Sequence, residues 1–359
     1  MLLKLPHDEI VKIEKDYEKI ARIVRLVYVN DGMPGIRRMK KGKGFRYTSS
    51  DKKSVTSETL TRIKKLAIPP AWTSVWICAL DNGHIQATGF DLRKRKQYRY
   101  HSLWNEARSE TKFHKLLEFG KVLPAIRAKL EDDIACNRLS REKVLATIIS
   151  LMERTYIRVG NEDYEKLYGS YGVTTLKDNH VAISGSEIKF SFTGKKQVTH
   201  NISIKNKRLA RIVKQCRDIP GKELFQYYDE LGNRHTVDSG MVNDYIKEAS
   251  GGEYSAKDFR TWAGTLNILR SLKSLGDAVT VSASKKNVIA ALDEVSKKLG
   301  NTRAVCKKYY VHPSIIKLYE ENNLKKYLKE LDNIEEPDER TGLAHDEKVL
   351  MKILKSLHA

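Results

Sequence analysis

The stretch Gly300-Asn301-Thr302-Arg303-Ala304-Val305-Cys306-Lys307-Lys308-Tyr309-Tyr310-Val311-His312-Pro313 sets a tyrosine among cations, nine residues after an amide side chain. A phenol has a pKa of about 10 and is an uncommon covalent nucleophile. It becomes useful where cations surround it and the electrophile is a phosphodiester. Attack there builds negative charge on the equatorial oxygens of a five-coordinate phosphorus. Without a metal, fixed cations must stabilise that charge, and the planar guanidinium fork of arginine can meet two oxygens at once. The leaving oxygen also needs a proton, which a lysine held nearby can give. The chemistry asks for two arginines, a proton donor, one further hydrogen-bond donor and the nucleophile.

Candidates for each part lie upstream. Arg158, in Tyr156-Ile157-Arg158-Val159-Gly160-Asn161, ends an apolar helical run just before a Gly-Asn stop signal. The same position suits a cation that only complements the helix dipole. Lys195 tips the turn Phe192-Thr193-Gly194-Lys195-Lys196, where it is either a solvated turn lysine or a side chain presented to a duplex groove. Ser255 and Asp258 form a capping-box-like helix start, placing Lys257 and Arg260 three apart in the first turn. Two cations at the positive end of a helix dipole are unfavourable unless an anion binds there. Asn301, beyond a helix ended by Gly300, fits ordinary capping as well as phosphate contact.

The elements that must position these residues divide the chain. Residues 1–108 read as a small strand-rich domain. Val75–Leu80 and His84–Phe90 flank the hairpin signal Asp81-Asn82-Gly83, and Ile68-Pro69-Pro70-Ala71-Trp72 is a rigid connector. Residues 109–359 read as a second, mainly α-helical domain. Periodicity predicts helices over 104–119, 121–138 and 140–158, the first beginning just ahead of the boundary. Pro124 is expected in the first turn of the second helix. A strand-rich insert follows at 172–204, with strands at Val173–Leu176, Val181–Ile183, Glu187–Phe192 and from Gln197. Helices are predicted near 205–217, 238–249, 255–274 and 284–299, with a last one after Pro337. Phe259, Trp262, Leu266, Leu269 and Leu272 mark the buried stripe of the third. The fold class is α+β.

Composition narrows the partner. The 359 residues carry 66 Lys+Arg against 45 Asp+Glu, a formal charge of +21, which points to a polyanion and most simply to nucleic acid. Basic clusters gather at Arg37–Arg46 and Arg93–Arg99. Around the second, Tyr98 and Tyr100 alternate with charge, as on a strand with one face toward a partner. Cys78, Cys136, Cys216 and Cys306 are isolated, so neither zinc nor a disulfide framework is suggested. There is no P-loop, dinucleotide fingerprint or carboxylate cluster of a two-metal nuclease. No run of 18 apolar residues is present to span a membrane, and Met1–Pro6 does not read as a signal peptide. The expectation is a cytoplasmic protein needing no metal or cofactor.

Taken in order, Arg158, Lys195, Lys257 with Arg260, Asn301 and Tyr310 resemble the active-site series of type IB DNA topoisomerases, specifically the small bacterial and poxvirus-like group. Supporting stretches are Gly83–Gly89, Arg95-Lys96-Gln97-Tyr98-Arg99-Tyr100-His101, Ile157–Asn161, Lys257–Trp262 and Tyr310-Val311-His312-Pro313. The resemblance implies a catalytic domain of the topoisomerase IB and tyrosine recombinase type. Tyr310 would attack the scissile phosphate and join the DNA 3′ end. Arg158, Arg260 and Asn301 would hold the nonbridging oxygens, and Lys195 would protonate the leaving 5′ oxygen, with Lys257 assisting. Strand rotation and religation would follow without ATP. Arg95, Lys96, Gln97, Tyr98, Arg99 and Tyr100 would touch double-stranded DNA, gripped by a monomer acting as a clamp in the bacterial nucleoid. Poxvirus-like members carry histidine where this chain has Asn301; bacterial members commonly carry asparagine. The alternatives are a tyrosine site-specific recombinase, which usually has histidine at the position of Lys257 and a helical amino-terminal domain, and a DNA-binding architectural protein without chemistry.

Overall fold

The computed structural model describes residues 4–51, 53–278, 280–331 and 341–358 and divides into two units, Met1–Lys115 and Leu116–Ala359. In the first unit, helices α1 (His7–Lys12) and α2 (Tyr17–Ile23) precede strands β1 (Gly35–Lys41) and β2 (Gly44–Thr48). Helix α3 (Ser57–Lys65) and strands β3 (Thr73–Cys78), β4 (Ile85–Phe90) and β5 (Lys96–Tyr100) follow. The strands form one antiparallel sheet in the order β2-β1-β3-β4-β5. Period-two alternation sends Ile36, Val75, Ile77 and Ala87 into a core with Ile63 of α3. The Asp81-Asn82-Gly83 turn is fixed by Gln86, whose amide donates to Asp81 O and Gly83 O, both at 2.8 Å. Arg38, from the first basic cluster, turns inward to donate to Pro69 O (3.0 Å) and Trp72 O (2.6 Å), fastening the proline-rich connector. The strand-rich reading holds, but α1–α3 were not foreseen. They are short, and α1 and α2 bury their apolar residues in a cluster that includes the distant Trp104 and Ala107.

Helix α4 (Ser102–Ala135) corrects the predicted break near residue 120. Pro124 lies inside the helix, where a proline costs roughly 3 kcal/mol. Phe119, Leu123 and Ile126 are fully buried beside it, and three such side chains at roughly 1.5–3 kcal/mol each outweigh that loss. Helix α5 (Arg141–Thr155) starts at Ser140, whose hydroxyl accepts from Lys143 N at 3.2 Å. It ends at Tyr156 in the left-handed region (φ 58°).

After α6 (Glu162–Tyr168), strands β6 (Val181–Ser184), β7 (Glu187–Thr193) and β8 (Thr199–Lys205) form the predicted strand-rich insert, paired antiparallel. Val173–Thr175 is a 3-10 turn, not the predicted strand. Its backbone is already committed: Val173 N donates to Arg158 O (2.8 Å) and Thr174 N to Val159 O (2.7 Å). Helix α7 (Lys207–Arg217), hairpin β9 (Gln226–Tyr228) with β10 (Arg234–Thr236), and helix α8 (Ser239–Ser250) lead to α9 (Ala256–Leu275). Helix α9 is buried far beyond the predicted stripe, including Arg260, Thr265 and Asn267. It packs among α5, α8 and α10 (Val281–Leu299). Short helices α11 (Arg303–Tyr309), α12 (Pro313–Glu320) and α13 (Lys325–Leu328) precede the amphipathic α14 (His345–His358). That last helix was anticipated; Pro337 itself lies outside the described residues.

Candidate active site

Two helix C-termini explain how a buried cation is tolerated. Arg260 is only 5% exposed, yet its guanidinium donates to Tyr156 O, at the end of α5, and to Leu299 O (2.7 Å), at the end of α10. Such carbonyls are the unsatisfied, negative ends of helix dipoles. The unfavourable charge expected at the start of α9 is thus offset by two other helices. The capping box itself forms, with Ser255 N and Oγ each 2.9 Å from Asp258 Oδ2. Half-buried Arg158 donates to Gly300 O (3.2 Å) and to the side-chain oxygen of Asn301. Burial, and then the neighbouring Arg158 charge, lower the Arg260 pKa; burial also lowers that of Arg158. Arginine starts so high that both remain cationic at neutral pH.

Asn301 does two jobs. Its N–H closes the end of α10 on Ser296 O (3.0 Å) after Gly300 turns left-handed (φ 56°). Its side-chain oxygen meets Arg158, while Asn301 Nδ2 and Arg260 Nε are buried donors with no hydrogen-bond partner among the described residues. An unsatisfied buried donor costs about 1–3 kcal/mol. Each is a donor that an acceptor-rich ligand could complete.

Tyr310 stands at the end of α11, its N–H on Cys306 O (2.9 Å). Arg260 Cζ lies 5.2 Å from its ring centroid, and the phenol interacts electrostatically with both guanidinium groups. Tyr309 is 45% exposed, with the Lys308 ammonium 5.3 Å from its ring centroid. Helix α9 holds the Tyr310 backbone closely: Thr265 Oγ1 donates to Tyr310 O (3.2 Å) and accepts from His312 N (3.1 Å). A Cβ on Gly264 would come within 2.9 Å of Tyr310 Cβ. Cys306, the other nucleophilic type nearby, is buried, and burial pushes its thiol up to about 11.

The lysines are placed differently. Lys195 is exposed at the β7–β8 tip, its ammonium 5.8 Å from the Tyr164 ring centroid. Lys196 and Gln197 are both left-handed (φ 62° and 60°), and the tip is tied down by Gln197 Nε2 donating to Tyr168 O at 2.8 Å. Lys257 is exposed in the first turn of α9. The structure therefore gathers Arg158, Arg260, Asn301 and Tyr310, while Lys195 and Lys257 occupy exposed positions. Such a set can seat a phosphodiester beside a phenol.

In the first unit, β5 alternates as expected: Tyr98 and Tyr100 are exposed and stacked at 5.6 Å. Lys96 pairs with Asp31 (2.7 Å) and Arg95 with Asp91 (2.7 Å). Gln97 donates to Asp91 (3.1 Å), and Arg99 donates to Ala67 O (2.9 Å). Sequence reasoning did not single out Gly264 or Thr265. A glycine inside an otherwise apolar helix was the available signal, since that position normally disfavours it.

Residues 101–336 match the family model of the eukaryotic DNA topoisomerase I catalytic core. Residues 44–91 match that of the bacterial DNA topoisomerase IB N-terminal domain. The chain is 35% identical to DNA topoisomerase 1B of Acanthamoeba polyphaga mimivirus over 298 residues, covering 81% of this chain and 89% of the viral one. It is 24% identical to DNA topoisomerase I of Monkeypox virus over 237 residues, covering 66% and 72%. The chain belongs to the type IB DNA topoisomerases, of the small viral and bacterial kind. It is an enzyme that relaxes supercoiled duplex DNA by breaking and rejoining one strand through a 3′-phosphotyrosine. The strand-rich first unit and its family match set aside the recombinase alternative, which called for a helical amino-terminal domain. Among the described residues, no helix is long and apolar enough to cross a membrane.

Proposed function

We propose that Tyr310 is the nucleophile of this topoisomerase. Its phenol oxygen bonds to phosphorus as the bond to the 5′ oxygen breaks; its own proton leaves to water, and Lys195 protonates the departing oxygen. Arg158, Arg260 and Asn301 hold the nonbridging oxygens, and Lys257 assists. Strand rotation relieves torsion, after which the 5′-hydroxyl attacks the phosphotyrosine and frees Tyr310. The link conserves the phosphodiester's energy, so religation requires no ATP. Tyr98 and Tyr100, with Arg95, Lys96, Gln97 and Arg99, touch the duplex, which a monomer grips with both units. The bacterial nucleoid is the compartment this reading implies.

The observation supporting the reading most strongly is the Arg260 guanidinium 5.2 Å from the Tyr310 ring, with buried, unpartnered donors at Arg260 Nε and at Asn301 Nδ2, whose side-chain oxygen meets Arg158. Relaxation of a plasmid lacking any recombination site, in EDTA and without ATP, tests it. Wild type should relax the plasmid and Tyr310→Phe should not. Relaxation by the phenylalanine variant would refute the assignment.

A further inference from the structure

The two halves of the site are held by different elements. Helix C-termini fix the arginines and Asn301, whereas Lys195 rides on a hairpin tip. The tip closes on itself through Gly194 N to Val198 O (2.8 Å) and Gln197 N to Gly194 O (3.1 Å), but it carries two consecutive left-handed side-chain-bearing residues that cost about 1–3 kcal/mol each. Contacts from outside the tip help to offset that strain. Gln197 supplies one, toward α6. On the side facing the arginines, the contact is a histidine.

His200 lies on β8 directly opposite Phe192 of β7, its ring stacked on the phenyl at 5.0 Å and 18°. The ring fills space that two glycines leave open. A Cβ on Gly194 would come within 2.6 Å of its Cδ2 and 2.7 Å of its Nε2, and one on Gly300 within 3.0 Å of Nε2. Gly194 immediately precedes Lys195, and Gly300 immediately precedes Asn301 while its carbonyl receives Arg158. One side chain is thus interposed between the mount of the candidate proton donor and the mount of the candidate phosphate ligands. From this geometry we propose that His200 is a positioning residue, setting the distance between Lys195 and the phosphate held by Arg158, Arg260 and Asn301. The inference rests on Lys195 acting as the proton donor. Burial, followed by the charges of Arg158 and Arg260, lowers the imidazole pKa. The spacer therefore adds no third cation at neutral pH.

A spacer for the proton donor has a signature that a packing residue lacks. A DNA with sulfur in place of the leaving 5′ oxygen departs without needing a proton, so it rescues defects in proton donation alone. Single-turnover cleavage of ordinary and 5′-phosphorothiolate duplexes is measured for wild type, Lys195→Ala, His200→Ala, His200→Phe and the double alanine variant. His200→Ala should slow cleavage of ordinary DNA by roughly 10–100-fold, the scale of a misplacement of about 1 Å. It should approach wild type on the phosphorothiolate. The double variant should be no slower than Lys195→Ala, and His200→Phe, which keeps a ring in place, should retain most activity. Equal slowing on both DNAs, additive losses or an unaffected His200→Ala would overturn the proposal. Failure of the phosphorothiolate to rescue Lys195→Ala itself would overturn the acid role beneath it, a separable result. Should the alanine variant not fold, His200→Gln carries the same comparison.

Discussion

Replacing Arg260 separates the value of its charge from that of its shape. The guanidinium spans the ends of α5 and α10, bonded to Tyr156 O and Leu299 O, with Nε left over beside Tyr310. A lysine ammonium is a single point and cannot satisfy both carbonyls while also facing a phosphate. Arg260→Lys should therefore leave one buried carbonyl unpaired, lowering stability by about 1–3 kcal/mol. The chemical loss should be larger. Removing an arginine that stabilises phosphoryl-transfer charge costs roughly 10³–10⁵ in rate, or roughly 4–7 kcal/mol at 1.36 kcal/mol per decade. Arg260→Ala should fall in that range and Arg260→Lys within about tenfold of it, because the remaining cation stays with the helix ends. The assay is single-turnover cleavage at saturating protein, with DNA affinity and melting temperature measured at the same salt. A lysine variant cleaving at a tenth of the wild-type rate or faster would show that charge alone suffices, and the argument from the fork would be wrong.

Other outcomes follow from the same contacts. Gly264→Ala would gain helix propensity but place a methyl against Tyr310 Cβ; cleavage should slow with DNA affinity unchanged, and an unslowed variant would remove the close-packing argument. Burial lowers the pKa of His84, His180 and His200 below that of a free imidazole, about 6.5. The unfolded chain therefore binds more protons just below pH 6.5, so this stability is complete above that pH and is lost as pH falls through it. Thermal melts from pH 7.5 to 5.5 should show a falling midpoint, with a shallower fall in His200→Phe; a rising midpoint contradicts the assignment. DNA affinity should drop by roughly 0.9 log units per log unit of salt for each phosphate contact. A flat response would disconnect the +21 charge from binding.

The parts of the site legible in sequence were those governed by local rules. Ser255 with Asp258 announced the start of α9, and Gly300-Asn301 announced the end of α10, because capping chemistry is written within a few residues. The spacing of Phe259, Trp262 and Leu266 likewise exposed the core face of α9. What stayed hidden depends on distant partners. Continuity of α4 through Pro124 needs burial of Phe119, Leu123 and Ile126, and the 3-10 turn at Val173 needs the Arg158 and Val159 carbonyls. The local reading of Arg260 as a cation awaiting an anion was incomplete, since the ends of α5 and α10 already receive it. His200 was invisible for the same reason. Its pairing with Phe192 is set by strand register, and only folding brings Gly300 to its ring.

The most direct measurement is to trap the covalent intermediate. Protein mixed with duplex DNA in EDTA is quenched with denaturant, digested, and the peptide carrying the nucleotide is sequenced by mass spectrometry. The adduct should form without metal and map to Tyr310; Tyr309→Phe should form it and Tyr310→Phe should not. An adduct on Tyr309, or none under conditions where the plasmid is relaxed, would contradict the assignment of the nucleophile.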